Sequence, residues 1–281
     1  MPEPGDALKS HIYALNSFMR VVTLLSDFGL RDGYVAQMKG TILDLCSNAV
    51  ITDISHDVER HNTSMGSFIL ETTAPYFPTD TIHVAVVDPG VGSARKAIVV
   101  ECEKALFVGP DNGLMARASE KLGLKSIFEI REKEFQRTPV SSTFHGRDVF
   151  AHTAGLMASG RRPREVGPKV SKLEKLSLVP PNLSGKSLTC HVLHVDAFGN
   201  VITNVEEEMV QRMRVKVGET VEIRSWTRKL QAQYVRSYSE VDKGSVALLL
   251  GSQGFLELAV REGSARDKLD VKPLDHLELQ L

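Results

Sequence analysis

An aspartate and an arginine lie on either side of a glycine-rich turn that follows an apolar segment. Residues 84–95 read VAVVDPGVGSAR, so Asp88 comes directly after the apolar residues and Arg95 follows seven positions later. Pro89 biases Asp88 toward extended geometry, and the glycines permit the positive φ angles that would bring Arg95 back beside the carboxylate. Such a pair could orient a polar reactant. An isolated Asp-Pro-Gly also occurs as a plain β-turn, in which the aspartate bonds its own backbone.

Four further polar segments combine binding side chains with turn residues. They are SDFG at 26–29, GPDNG at 109–113, STFHGRD at 142–148 and DAFGN at 196–200. Each also fits a structural role, with Asp148 as a helix cap and 196–200 as a hairpin turn. An aspartate at a strand end can instead accept both hydroxyls of a ribose. Taken singly, the segments leave both interpretations open.

The polar segments follow elements that alternate between strand and helix. Apolar patterning predicts strands at 21–25, 49–54, 81–87, 97–102 and 105–108, and helices at 34–45, 63–74, 113–122 and 149–159. This alternation predicts an α/β fold with a mostly parallel sheet and flanking helices. Asp27, Asp88 and Asp111 each follow a predicted strand, where ligands bind in such sheets.

The composition changes after about residue 170, where Lys, Ser, Leu and Pro accumulate. Beyond this point, short alternating strands predict a small antiparallel β-barrel-like domain; they lie at 188–195, 201–204, 220–223, 246–250 and 255–259. We therefore predict an N-terminal extension at 1–20, an α/β domain at 21–170, a linker at 171–186 and the barrel-like domain at 187–281. The nucleotide-binding patterns GxGxxG and GxxxxGK[ST] do not occur at the expected positions.

The charge balance and cysteine content restrict the function classes. The chain has 34 Lys and Arg against 35 Asp and Glu, a formal charge of −1, which disfavours binding to nucleic acid or an acidic membrane. Its three cysteines are far apart and have no spacing suited to zinc or a disulfide framework. No apolar run reaches membrane-spanning length. These features predict a cytoplasmic protein with no metal site.

The polar segments together resemble one enzyme family. In the order SDFG, DPGVGSAR, GPDNG, FHGRD, DAFGNVITN and GSQG, they are similar to the S-adenosyl-L-methionine (SAM) hydroxide adenosyltransferases, over about residues 21–259. These enzymes hydrolyse SAM to adenosine and methionine and are related to the SAM-dependent fluorinase and chlorinase. The resemblance implies a homotrimer whose substrate lies between the N-terminal domain of one subunit and the C-terminal domain of the next. It implies no cofactor, since SAM is itself the activated species.

The resemblance also assigns roles to individual residues. The family's catalytic set falls on Asp88, Arg95 and His145, and the halogenases have tyrosine at the first of these positions, which favours water as the nucleophile. Asp27 would hold the ribose hydroxyls, and Thr143 and Phe144 would line the wall near the reacting carbon. Gly146, also assigned to the substrate site, lies where the fluorinase has its halide-contacting serine and the chlorinase a glycine. The methionine portion and adenine would contact Asp196, Phe198, Asn200 and Ser252.

Two departures from the family pattern and three alternative functions remain. The chain has Arg60-His61-Asn62 where an aromatic residue is usual, and His152 where proline is usual.

The alternative functions are a halogenase, a non-catalytic SAM or nucleoside sensor, and a metal-assisted phosphoester hydrolase. The last would use carboxylates as oxygen ligands, drawn from Asp27, Asp32, Asp88 and Asp111.

Overall fold

The computed structural model describes residues 20–177 and 179–281. The chain divides into two compact units, one ending at Leu176 and the other beginning at Ser177, and each has its own hydrophobic core. Apart from Arg20, the predicted N-terminal extension lies outside the described residues. Within the described ranges, no helix combines the length and the apolar character needed to cross a membrane.

The first unit contains a seven-stranded sheet with the order β2-β1-β3-β5-β4-β6-β7. Strands β2, β1, β3 and β5 are parallel to one another, while β4, β6 and β7 add antiparallel pairs. Five of the seven strands, β1, β2, β3, β5 and β6, therefore point the same way, which confirms the mostly parallel sheet. The strands are β1 Val21–Ser26, β2 Val50–Ser55, β3 Thr81–Val86, β4 Ala97–Cys102, β5 Ala105–Pro110, β6 Leu124–Glu129 and β7 Lys169–Val170.

The antiparallel part of this sheet begins at a short connection. Strands β4 and β5 are joined by Glu103 and Lys104 alone. A two-residue connection can form a hairpin but cannot cross over to a parallel strand. The sequence predicted both strands, but β6 and β7 were not predicted.

Helices cover both faces of the sheet. They are α1 Tyr34–Leu45, α2 Thr63–Thr73, α3 Ala116–Lys121 and α4 His152–Ala158. Helices α1 and α4 share one core with Leu24, whereas α2 and α3 share another with Leu25, because successive strand residues point to opposite faces. The predicted helix at 149–159 differs at its start, where Gly146–Ala151 forms a π-helical turn before α4.

The second unit is a closed seven-stranded β-barrel. The strand order β10-β14-β13-β12-β11-β15-β9 is closed by pairing of β9 with β10, and β8 pairs with β9 outside the ring. The barrel confirms the predicted architecture. Its elements are β8 Asn182–Ser184, β9 Ser187–Val195, β10 Val201–Glu206, β11 Thr220–Arg224, β12 Lys229–Tyr234, β13 Val246–Leu250, β14 Phe255–Val260 and β15 His276–Gln280, with α5 Glu207–Met213 and α6 Ala265–Leu269.

One strand pair of the barrel departs from the antiparallel expectation. Strands β12 and β13 are parallel, and the segment 235–245 connects them. This connection is long enough to return the chain to the end of the barrel at which β12 began. Neither β12 nor β15 was predicted from the sequence.

Candidate active site

The turn after β3 brings Arg95 back to Asp88. Val91 N donates to Asp88 O at 3.2 Å, which closes the turn. Arg95 Nε then lies 2.9 Å from Asp88 Oδ1, and Arg95 Nη2 lies 2.5 Å from Oδ2. The two side chains are only 11% and 5% exposed for Arg95 and Asp88. The carboxylate is thus held by a two-pronged guanidinium contact, as the turn geometry predicted.

Gly92 allows this turn to lie against the segment that carries the histidine. Its φ is +76°, a left-handed conformation that favours glycine. A Cβ atom at this position would come within 2.7 Å of the Ser142 carbonyl oxygen. Glycine therefore permits both the turn and its close approach to residues 141–145.

His145 completes a chain of three side chains. Its Nδ1 lies 2.8 Å from Arg95 Nη2. Because a guanidinium can only donate, Nδ1 must accept, and the ring proton is on Nε2. Burial holds the pKa of His145 below its ordinary value and the Arg95 charge adds to this, although Asp88 and Asp148 oppose it. The imidazole is therefore neutral and has an Nε2–H donor to offer.

Asp148 anchors the segment that carries His145. Its fully buried carboxylate accepts hydrogen bonds from Arg147 Nε at 2.6 Å and from Ser141 N at 2.8 Å. Burial alone would raise the pKa of Asp148, but these hydrogen bonds and the nearby arginines lower it. The interpretation of Asp148 as a helix cap is wrong, since it lies inside the π-helical turn and binds the preceding segment instead.

An aromatic cluster adjoins the π-helical turn. The rings of Phe28, Tyr34 and Phe144 meet at centroid distances between 5.1 and 5.9 Å. A Cβ atom at the buried Gly146 would lie 3.1 Å from the Phe28 and Phe144 rings, so only glycine leaves these rings undisturbed. The neighbouring Thr143 is exposed.

Asp27 lies at the same edge of the sheet as Asp88. Strands β1 and β3 are parallel neighbours with Ser26 opposite Val86, so the residues after them leave the same edge. Asp27 Oδ2 accepts a hydrogen bond from His61 N at 2.9 Å. Residues 60–62, which differ from the family pattern, therefore contact Asp27 through the backbone of His61. The other departure, His152, places Nε2 3.2 Å from the Glu134 carbonyl oxygen.

Two of the acidic residues that follow the strands are held by hydrogen bonds within the protein. Asp111 is buried and accepts a hydrogen bond from Glu174 N at 2.9 Å, while Asp88 is bound to Arg95. Burial raises the pKa of Asp111. Throughout residues 20–177 and 179–281, no group of three or more His, Cys, Asp or Glu side chains is placed to hold a metal ion. The metal-assisted alternative therefore lacks its ligand cluster there.

The other predicted binding residues line a cavity in the barrel. The cavity has a volume of about 600 Å³. Its wall includes all four residues that the resemblance assigned to the methionine portion and adenine, namely Asp196, Phe198, Asn200 and Ser252. The barrel thus brings together residues that are up to 56 positions apart in sequence.

Asp196 organises the turn at the mouth of this cavity. Its Oδ1 accepts from Phe198 N and Asn200 N, both at 2.9 Å, and its Oδ2 accepts from Asn200 Nδ2 at 2.9 Å. The hairpin-turn interpretation of 196–200 is therefore correct. The same turn presents the Phe198 ring, which is 81% exposed.

Glu257 and Tyr238 are among the cavity residues that the sequence did not predict. Glu257 is only 8% exposed, and Tyr238 donates its hydroxyl to Glu257 Oε1 at 2.7 Å. Burial raises the pKa of Glu257, and the charge of Asp196 adds to the increase. The sequence does contain one indication of Glu257, since it is an acidic residue within the otherwise apolar segment FLELAV at 255–260.

Comparison with family models matches both units. A model described as the SAM hydroxide adenosyltransferase N-terminal domain matches residues 22–167, and one described as the C-terminal domain matches residues 190–278.

Individual relatives give the same result. The (R)-S-adenosyl-L-methionine hydrolase of Methanocaldococcus jannaschii is 37% identical, covering 95% of this chain and 98% of that protein. The Thermus thermophilus protein of the same name is 36% identical, with 90% and 97% coverage. A Nocardia brasiliensis fluorinase is more distant, at 23% identity with 85% and 89% coverage. The crystal structure of an uncharacterized conserved protein from Thermotoga maritima matches with a TM-score of 0.89 and 34% identity, covering 92% of this chain and all of that one.

Proposed function

The chain belongs to the SAM hydroxide adenosyltransferase family, and from this membership we propose that it hydrolyses SAM to adenosine and L-methionine. The observation that carries the proposal is the Asp88–Arg95–His145 chain, formed in a protein whose similar relatives are hydrolases. Those relatives are named for the (R) form of SAM. We therefore infer that the epimer with R configuration at the sulfonium sulfur is the substrate.

The reaction is an in-line displacement at the ribose 5′ carbon. The water oxygen forms a bond to C5′ as the C5′–S bond breaks, and the electron pair of that bond remains on sulfur. Methionine leaves as a neutral thioether, so the leaving group needs no acid. The water must lose a proton, and the approach of hydroxide-like charge to the sulfonium is favoured in a site that excludes solvent.

We assign the handling of water to the three connected side chains. Asp88 orients the water and receives its proton, while Arg95 fixes both carboxylate oxygens. His145 accepts from Arg95 through Nδ1, and its Nε2–H is available to stabilise the developing hydroxide. Because the guanidinium neutralises much of the Asp88 charge, positioning contributes more than basicity.

Substrate recognition is divided between the two sets of predicted residues. Asp27 holds the ribose hydroxyls, Thr143 and Phe144 line the wall near C5′, and Gly146 belongs to the same substrate site. The adenine and the methionine portion contact Asp196, Phe198, Asn200 and Ser252. The ring of Phe198 is exposed and can stack on a purine.

A product assay tests the proposed activity. The purified protein is incubated with separated (R)- and (S)-SAM in chloride-free, metal-free buffer, and products are followed by chromatography. Equimolar adenosine and methionine, formed faster from the (R) epimer, are expected. A 5′-chloro nucleoside formed on adding chloride would support the halogenase. Saturable binding without products would support a sensor, and loss of activity with a chelator would support the metal-assisted reaction.

The assembly is a second part of the proposal. From the family resemblance we propose a homotrimer in which each substrate contacts the α/β unit of one subunit and the barrel of the next. Asp88→Asn subunits are mixed with Phe198→Ala subunits after dissociation, and activity is measured at SAM concentrations well below KM, where both parent variants are impaired. Mixing should restore part of the activity, because some sites would contain neither change. Unchanged activity in mixtures with proven subunit exchange would contradict a shared site.

The remaining expectations concern cofactors and location. We propose that no cofactor is needed, since the sulfonium already activates C5′. A cytoplasmic location is supported by the three cysteines, Cys46, Cys102 and Cys190, which are all buried thiols.

A further inference from the structure

A buried serine at the end of β1 is bonded to a histidine that follows β2. Ser26 Oγ lies 2.7 Å from His56 Nδ1. Leu25 is paired with Ser55 in these two parallel strands, so the next residue of each strand lies at the same edge of the sheet. Both residues are buried, with Ser26 0% and His56 3% exposed. The bond therefore ties together two strand ends at the edge where Asp27 lies.

The histidine contacts a pair of charged side chains in turn. His56 Nε2 lies 3.1 Å from Asp53 Oδ1, at ion-pair distance but outside hydrogen-bond geometry. Lys39 Nζ, on α1, donates to Asp53 Oδ2 at 2.7 Å. Burial would raise the pKa of Asp53, but its contacts with Lys39 and His56 lower it. Because a carboxylate can only accept, Asp53 favours the ring proton on Nε2, which leaves Nδ1 to accept from the Ser26 hydroxyl.

Ser26, His56 and Asp53 have the residue types of a nucleophilic triad, but burial excludes that role. A nucleophilic serine must reach the substrate with its oxygen. Ser26 is fully buried, and its oxygen also accepts from Phe28 N at 3.3 Å. The three side chains are therefore placed to hold neighbouring residues rather than to attack a substrate.

The neighbouring residue that these contacts enclose is Asp27. His56 holds the turn at 26–29 at two points, since its ring bonds Ser26 and its carbonyl oxygen accepts from Gly29 N at 2.8 Å. Asp27 lies between these two bonds, and its Oδ2 accepts from His61 N at 2.9 Å. Hydrogen bonds on both sides of a functional residue restrict the directions that its side chain can take.

We propose that Ser26, His56 and Asp53 are positioning residues, which direct the Asp27 carboxylate toward the ribose hydroxyls of the substrate. The inference rests on the proposed function, since that function gives Asp27 its contact with the ribose. Loss of the Ser26–His56 bond should therefore weaken the contact with the ribose hydroxyls and leave the other binding contacts unchanged.

The same sheet contains a matched hydroxyl–histidine pair in the middle of its strands. Thr23 Oγ1, on β1, lies 2.7 Å from His83 Nδ1, on β3, and both residues are buried. The ring of His83 contacts Phe77 and Phe107 rather than charged side chains. Removing either hydroxyl should lower the Tm, whereas only removal at Ser26 should alter recognition of the ribose.

The test pairs a protein change with a ligand change. Calorimetry compares adenosine with 2′,3′-dideoxyadenosine, which lacks both ribose hydroxyls, in wild type, Ser26→Ala and Thr23→Val. We expect wild type to prefer adenosine and Ser26→Ala to lower that preference about fivefold, the loss typical of one hydrogen bond. Thr23→Val should keep the wild-type preference. An unchanged preference in folded Ser26→Ala, or the same loss in Thr23→Val, would overturn the inference.

Changes at two other positions keep the test decisive if Ser26→Ala folds poorly. Asp53 is partly exposed, so Asp53→Asn removes the charge beside Nε2 without opening the core. His56→Asn keeps an acceptor oxygen near the position of Nδ1, whereas His56→Leu has none. Asp53→Asn and His56→Leu should both lower the preference for adenosine, and His56→Asn should retain more of it than His56→Leu. Equal losses in the two His56 variants would overturn the inference and indicate a purely structural role.

A double-mutant cycle tests whether Ser26 acts through Asp27. In an Asp27→Ala background, Ser26→Ala should cause no further loss of adenosine binding, and additive losses would overturn the inference. Binding of adenosine requires no hydrolysis, so the result expected for Ser26→Ala would support the positioning role even if SAM is not hydrolysed. Hydrolysis of SAM by a wild type that shows no preference for adenosine would overturn the positioning role and leave the hydrolase intact.

Discussion

The Asp88–Arg95–His145 chain and the barrel cavity use charge in opposite ways. In the first, a nearly buried carboxylate is matched by a guanidinium that also binds a neutral imidazole. In the second, acidic residues accumulate around a cavity and Phe198 is 81% exposed at its mouth. A neutralised, interlocked chain suits precise positioning of a reacting group, whereas an acidic cavity with an exposed ring suits recognition. Changes in the first should therefore lower kcat, and changes in the second should raise KM.

The largest effect should come from Asp88→Asn. The amide keeps the size of the side chain but cannot accept the proton of water, so kcat should fall by about 10²–10⁴-fold. Binding of SAM should remain within about threefold of wild type, because the substituted atom is not a recognition group. Steady-state kinetics and calorimetry measure the two quantities.

The matched control for this variant is Asp80→Asn. Asp80 precedes β3 and is exposed at the opposite end of that strand. Its substitution should leave kcat unchanged. Full activity of Asp88→Asn would contradict the assignment, whereas loss of binding would indicate a structural turn.

Asp148→Asn should have the next largest effect, through His145. The variant loses the charge that holds Arg147 and weakens the bond to Ser141 N, so we expect kcat to fall about tenfold. Asp148 also raises the pKa of His145, so its neutralisation should move the acid limb of the kcat profile to lower pH. A merely destabilised protein would show a lower Tm without that movement. Asp44→Asn, which removes an acidic charge on α1, is the control variant for Asp148→Asn.

Phe198→Ala tests whether the barrel cavity acts in substrate recognition. Loss of a stacking partner should raise KM about tenfold, since an aromatic ring contributes about 1–3 kcal/mol to the binding of a base. The value of kcat should change little, and Phe198→Tyr should retain most of the affinity. A fall in kcat at saturating SAM with unchanged KM would reverse the roles assigned to the two regions.

The smallest effect should be the pH response of His145. Its pKa is lowered, so the neutral ring persists until the pH falls below the ordinary histidine value of about 6.5. Protonation on Nδ1 then removes the acceptor of the Arg95 bond, and kcat should decline toward lower pH. His145→Asn offers an oxygen acceptor that does not titrate, so its kcat should be lower but flatter between pH 7 and 5. An identical acid limb in the variant would assign the titration to another group.

Local sequence signals predicted much of the fold and part of the site. The limits of α1 and β4 agree with the predictions, because their apolar spacing and boundaries are local. Glu257 and Tyr238 were missed, since no local pattern places a glutamate of β14 against a tyrosine 19 residues earlier. The parallel pair β12–β13 was missed for the same reason, since it depends on the path of a connecting segment.

The order of the motifs, the strand-to-turn geometry at Asp88 and the resemblance to a family can all be read from the linear sequence. These depend on residue type and short-range spacing, where backbone sterics act directly. The contact of Arg95 with His145, 50 positions away, and the acceptor role of the His145 Nδ1 atom become visible only in the three-dimensional fold. The same holds for the bond of Glu174 N to Asp111 and for the space that Gly251 leaves for Glu257. Such contacts arise from packing between elements distant in sequence, which hydrophobic periodicity does not encode.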